Sequence, residues 1–330
     1  QTISLLSPLP AITEAVTIDG TTQPGFSGAP LIVLNGASAG TTARGLQINA
    51  ANCLIKGLVI NGFAKTGLFI GGAGSSGNQV QGCYIGTNAA GTAAVSNGTV
   101  SGTFDVDGLD LVSGANNNII GGTTAAARNL ISGNFTSNGD GIFIGYPGSN
   151  NNLIQGNYLG TNAAGAAAIA NGFASLEIAT DVSPGPQGNV IGGTTAGSGN
   201  IASGNSQVGI GIFNADSDNN LVQGNFIGTD VAGTASVPNG IAGAEIGNPP
   251  GGGISGKNNL IGGTTPSARN IISGNFNNGV WIRDAGTTNN LVQGNYIGTT
   301  PTGMTALPNT LRGVELAYGA QANTIGGVVA

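Results

Sequence analysis

One line recurs along the chain: Asn, any residue, an aliphatic, any residue, Gly. Its Asn falls at Asn78, Asn118, Asn152, Asn189, Asn220, Asn259, Asn290 and Asn323. Repetition at a near-constant interval points away from an ordinary globular arrangement and toward a solenoid, in which each repeat packs on its neighbours. An aliphatic–x–aliphatic pair lies upstream of each Asn. Its last members are Ile70, Leu111, Ile144, Ile178, Ile212, Ile246, Ile282 and Leu316, separated by 41, 33, 34, 34, 34, 36 and 34 residues. Such alternation marks a short strand with one face buried. Gly, Asn, Ser and Thr corners divide the strands, and no helical 3.6-residue period intervenes. The prediction is an all-β chain: a right-handed, single-stranded parallel β-helix of about ten rungs. Residues 1–44 are the least repetitive and are expected to start the helix; rungs 45–330 continue it as one domain.

The rungs alternate between two kinds. One carries Gln-Gly-Asn-aromatic-Ile-Gly-Thr, as at residues 223–229, with relatives at 81–87 (where Cys83 replaces Asn), 155–161 and 293–299. The other carries Ile-Gly-Gly-Thr-Thr at 120–124, 191–195 and 261–265, and in broken form at 325–328. This second kind runs on into Arg128-Asn129-Leu130-Ile131-Ser132-Gly133-Asn134 and Arg269-Asn270-Ile271-Ile272-Ser273-Gly274-Asn275. The sequence unit is therefore a double rung of about 70 residues.

These phrases, with the entry Val16-Thr17-Ile18-Asp19-Gly20-Thr21-Thr22-Gln23-Pro24-Gly25 and Gly57-Leu58-Val59-Ile60, carry a resemblance. The chain resembles, over essentially its whole length, right-handed β-helix regions of large bacterial extracellular or cell-surface proteins. The resemblance implies an exported bacterial β-helix and brings no catalytic residues with it.

Composition narrows the function. Sixty-two glycines and 7% charged residues would suit a disordered chain, but 39% hydrophobic residues in regular spacing supply a core. A net charge of −6 with eight basic residues argues against nucleic-acid binding. No histidine occurs, which removes the commonest general base and metal ligand. Cys53 and Cys83 are too few for a zinc site and occupy different slots of the repeat, so no disulfide is expected. No apolar run reaches the length of a membrane span, and no leader-like segment precedes Gln1. The chain reads as a mature or excised segment of an extracellular or cell-surface bacterial protein.

Three sets of residues are candidates for more than packing. The eight Asn are expected to form a structural ladder, each tolerating a left-handed corner and bonding to the amide of the next rung. The residue between the paired aliphatics points outward. Down the rungs it reads Phe69, Asp110, Phe143, Glu177, Gly211, Glu245, Trp281 and Glu315. The alternation keeps like charges apart, and the column is expected either as a solvated face or as an exposed strip for sugar rings or a partner protein. Asp105, Asp107, Asp110 and Asp140 form the densest carboxylate group. Asp107 and Asp140 share one slot on successive rungs, about 5 Å apart, which suits polar corners, a Ca²⁺ site or a glycosidase-like pair. Asn278 and Arg312 fill that slot later, which favours the corner reading.

No cofactor is expected except Ca²⁺ at Asp107 and Asp140. The scattered Lys and Arg match neither a lyase nor a hydrolase arrangement, and the recurrence of Arg128 and Arg269 predicts bonding to corner carbonyls. Gly251-Gly252-Gly253 follows no strand-to-helix pattern and gives no nucleotide loop. Strand-like Gln1-Thr2-Ile3-Ser4-Leu5-Leu6 and apolar Gly326-Gly327-Val328-Val329-Ala330 suggest rods stacking end to end. The expected function is a non-catalytic surface, matrix or filament component, self-associating or binding polysaccharide. The alternative is a polysaccharide lyase, hydrolase or epimerase using the four Asp.

Overall fold

A computed structural model of the protein describes residues 1–99, 105–134, 138–214, 216–247 and 256–327. Gly251-Gly252-Gly253 and residues 328–330 lie outside them. The chain winds as a right-handed parallel β-helix with three all-parallel sheets. Sheet A has ten strands from Thr2–Ser4 to Tyr296–Ile297, sheet B nine from Leu46–Ile48 to Arg312–Ala317, and sheet C ten from Thr17–Asp19 to Thr324–Ile325. A single rung passes through Leu58–Asn61 in A, Leu68–Gly71 in B and Gln79–Gln81 in C, then rises to Tyr84–Ile85 in A. Among the described residues the helical segments are 3-10 turns, at Gly20–Thr22, Ala125–Ala127 and Pro266–Ala268. None is long and apolar enough to cross a membrane.

The periodic aliphatics form the core. Ile70, Leu111, Ile144, Ile178, Ile212, Ile246 and Ile282 stack in register along sheet B, each no more than 1% exposed. Each such burial contributes about 1.5–3 kcal/mol. A column of identical shapes lets every rung repeat the packing of the one below it.

A triangular coil must also satisfy the backbone at three corners, where strand pairing lapses. The Asn column does so between sheets B and C. From Asn118 to Asn323 each Oδ1 accepts both the backbone N–H and the side-chain Nδ2 of the preceding Asn, starting with Asn78, at 2.8–3.2 Å. The left-handed backbone expected of these Asn belongs instead to the residue before each: Asn117, Asn151, Asn219, Asn258 and Asn289 have φ of 53–58°. The ladder Asn can then turn its amide inward while its predecessor makes the bend.

Two further ladders were not read from the sequence. Asn129, Asn157, Asn200, Asn225, Asn270 and Asn295 line the corner from C to A. Asn97, Asn134, Asn171, Asn205, Asn239, Asn275 and Asn309 line the corner from A to B. Cys53 and Cys83 stand at the feet of two different ladders, their N–H groups donating to Asn78 Oδ1 and Asn129 Oδ1. Both are buried free thiols, and burial pushes the Cys83 thiol up to about 11. Arg128 and Arg269 bond carbonyls as expected: Nε donates to Gly156 O at 3.2 Å and Gly294 O at 2.9 Å. Their guanidinium groups also lie over the rings of Tyr158 and Tyr296, at 4.4 and 4.0 Å.

The double rung has a physical cause. After sheet A, alternate rungs throw out a small loop closed by antiparallel bridges Thr87–Ala94, Thr161–Ala168, Thr229–Ser236 and Thr299–Ala306. Successive loops touch two rungs apart, with Ala163 N donating to Gly91 O and Val231 N to Gly165 O, each at 2.9 Å. The intervening rung must stay short there, so it carries different text.

Candidate functional site: a carboxylate and aromatic cleft on sheet B

The outward column of sheet B is in register throughout, Phe69–Asp110–Phe143–Glu177–Gly211–Glu245–Trp281–Glu315. It is not the open strip expected of exposed aromatics. Asp110 and Glu245 are each only 3% exposed, and the remaining side chains are partly covered. The aromatic rings lie sideways, each over a glycine of its own strand: Phe69 covers Gly71, Phe143 covers Gly145, and Phe213 reaches back over Gly211. A Cβ at any of these glycines would strike the ring. Arg44 caps Phe69 at 3.8 Å, and Arg283 and Tyr318 cover Trp281 with centroid distances of 4.7 and 6.3 Å. Glu245 pairs with Arg283 at 2.6 Å, and Glu315 with Arg312 at 3.3 Å. These positions are occupied by intramolecular partners.

The four Asp do not act as one group. Asp105 is drawn away into a bidentate pair with Arg44, Nη2 to Oδ2 at 2.7 Å, with Lys65 3.6 Å from the same oxygen. Burial pushes its carboxyl up, but the Arg44 contacts outweigh this and hold it below the usual range. Asp107 and Asp140 continue a polar corner. Asp107 N donates to Thr66 Oγ1, Asp140 N to Asp107 Oδ1 at 2.6 Å, and Ala174 N to Asp140 Oδ1 at 2.9 Å. The series ends at Ala174, Val208 and Ala242, which occupy the same register.

The alternation that separates like charges down the column does not separate them across it. Asp107 interacts with Asp110 and Asp140 with Glu177, and burial favours a retained proton within each pair. Asp110 Oδ2 accepts from Thr66 Oγ1 at 2.8 Å, while its buried Oδ1 has no hydrogen-bond partner. Burial is the largest cause in all four. It pushes Asp110 up to about 7, and Asp107 and Asp140 well above the carboxylate range with help from the neighbouring charges. Burial also raises Glu177, and the charges of Glu245 and Asp181 add to it.

Beside these pairs a cleft of about 390 Å³ opens across four rungs. Asp107, Asp140, Glu177 and Asp181 line it with Phe143, Tyr146 and Phe173, and Asn138, Thr180 and Asn214 add amide and hydroxyl groups. Phe143 and Tyr146 meet edge to face at 6.4 Å, and Tyr146 is 40% exposed. Asn214 Oδ1 is buried on this wall without a hydrogen-bond partner. Lys and Arg are absent from the cleft's described lining. Of the residues singled out from sequence, the cleft gathers Asp107, Asp140, Phe143 and Glu177. It leaves Phe69, Asp105, Glu245, Trp281 and Glu315 elsewhere, and Asp110 behind Asp107.

Tyr146, Phe173, Asp181 and Asn214 were missed because they sit on turns outside the repeat. Only the positive φ of Tyr146 and Asn214, 66° and 59°, sets two of them apart, and that is invisible before folding. The Ca²⁺ expectation at Asp107 and Asp140 does not fit. Their Oδ1 atoms accept backbone N–H groups and their remaining oxygens engage Asp110 and Glu177. Among the described residues no cluster of three or more His, Cys, Asp or Glu is arranged to hold a metal ion. No protein-family model matches the chain, and no curated protein matches it.

Proposed function

We propose that this protein is a non-catalytic, exported bacterial β-solenoid that serves as a surface or matrix component and binds saccharide in the sheet B cleft. The observation that carries the reading is the pairing of an aromatic wall with acceptor groups in one cleft. Sugar rings present an apolar C–H face that packs on aromatic side chains, and hydroxyls that donate to carboxylates and amide oxygens. The rigid rungs fix both walls, so little ordering is required on binding. The repeated surface of a rod suits a structural role, and the low charge and cysteine content suit export.

Affinity electrophoresis through gels containing soluble polysaccharides tests this. Retardation that disappears when Phe143→Ala and Tyr146→Ala are combined is expected; unchanged mobility of the parent protein in every gel would overturn it. A second reading, polysaccharide hydrolysis, is favoured by one observation: Asp140 and Glu177 line the cleft together, with burial raising both carboxyls, as a general acid needs. Release of reducing ends, abolished by Glu177→Gln, would establish it in place of the binding role.

A further inference from the structure

Four carboxyl groups line one small cleft, and no Lys or Arg stands among its described lining residues. Asp107, Asp140, Glu177 and Asp181 line it together with Phe143 and Tyr146, and Glu177 is the register partner of Phe143 on the next rung. Other acids on or beside sheet B have basic partners: Asp105 has Arg44 and Lys65, Glu245 has Arg283, and Glu315 has Arg312. The cleft carboxyls instead have one another. Without a basic partner, Asp107, Asp140 and Glu177 are neutralised by protons, a role that a bound cation would take over. Asn214 Oδ1, buried on the same wall without a partner, is a further acceptor waiting for a donor. Carboxylates and an amide oxygen accept hydrogen bonds, and an ammonium group has three to give.

We infer that the saccharide taken by the cleft is an amino sugar whose ammonium group docks between Asp140 and Glu177 while its ring lies against Phe143. The inference rests on the saccharide reading above and narrows it. Anionic, uronic-acid polymers are repelled by the same four carboxyls. A neutral sugar would leave the pair as it is, holding its proton. An ammonium makes the proton redundant: N⁺–H groups donate to both carboxylates, the proton that Asp140 shares with Glu177 leaves for solvent, and charge balances. Other groups facing the pair are Asp107 and Asp181 from adjacent turns, with Asp110 behind Asp107 and Glu245 two rungs away on the column. Arg44 and Lys65 are engaged with Asp105, on the Asp110 side.

Titration calorimetry of the whole chain, in two buffers of different protonation enthalpy, tests this with a β-1,4-linked glucosamine tetramer and its N-acetylated counterpart. The expected result is binding of the amine form with release of about one proton, and affinity that rises with pH as long as the amine stays protonated. Glu177→Gln, which can still bond Asp140, is expected to weaken amine binding by roughly tenfold or more and to abolish proton release. Asp181→Asn serves as a second variant should Glu177→Gln fold poorly, and is expected to weaken the amine form by a smaller factor. Equal binding of both tetramers without proton release would overturn the ammonium inference and leave the saccharide cleft standing. Failure of both tetramers, and of the neutral polysaccharide gels above, would overturn the two together.

Discussion

Asn220 illustrates what one ladder position does. Its Oδ1 accepts from Asn189 N and Nδ2, and its own Nδ2 donates to Pro186 O and Asn259 Oδ1. Asn220→Ala strands all of these in a corner that water cannot reach, at roughly 1–3 kcal/mol for each group left unsatisfied. A loss of about 3 kcal/mol or more in denaturant unfolding is expected, against little change for Asn49→Ala, whose exposed side chain bonds only Gln47. The cleft carboxyls act in the opposite sense with pH. Asp110, Asp107, Asp140 and Glu177 have folded values raised above their unfolded ones, so their contribution is fully present below about pH 4 and is lost as pH rises through the folded values, about 7 for Asp110. Asp105, lowered by Arg44, contributes stability that is lost as pH falls below the usual carboxylate range. The melting temperature is therefore expected to peak near pH 4–5 and decline toward neutrality, and Asp110→Asn should flatten that decline. A melting temperature that climbs steadily to pH 8 would contradict the shared-proton pairs.

At the scale of the element, glycine and aromatic positions are coupled across rungs as well as within them. Gly192 has φ of 90°, and a Cβ there would fall on Gln223 O and the Asn225 amide of the next rung. Gly192→Ala combines left-handed strain with a collision against a ladder. It is expected to destabilise by about 3 kcal/mol, several times the effect of Gly→Ala on an exposed turn, as read by thermal unfolding. The strands themselves were legible because inward aliphatics recur with a fixed register. One ladder was legible because its Asn always precedes the same x-aliphatic-x-Gly text. The second and third were not, because alternate rungs reach the same corner through different phrases: Gln-Gly-Asn in one, Arg-Asn or Gly-Asn in the other. Only the three-dimensional winding aligns Asn157 with Asn129 and Asn200.

Across the whole molecule, the repeat builds a rod and the departures from it build the cleft. Asp107, Asp140, Phe143 and Glu177 could be found by reading down columns, since register places them together. Their burial could not, because it depends on turns such as those holding Tyr146, Phe173 and Asn214, whose sequence carries no period. The expectation of an open aromatic strip failed for the same reason: Arg44, Arg283 and Tyr318 arrive from turns to cover Phe69 and Trp281. Among the described residues the fully buried acids without an ion-pair partner, Asp107, Asp110 and Asp140, gather at this cleft, and the functional proposal rests there. A crystal structure of the protein soaked with the glucosamine tetramer tests it most directly. The account predicts a sugar ring against Phe143, with its amine within hydrogen-bonding distance of Asp140 and Glu177. A tetramer bound anywhere else on the rod, with the sheet B cleft holding only water, would contradict it.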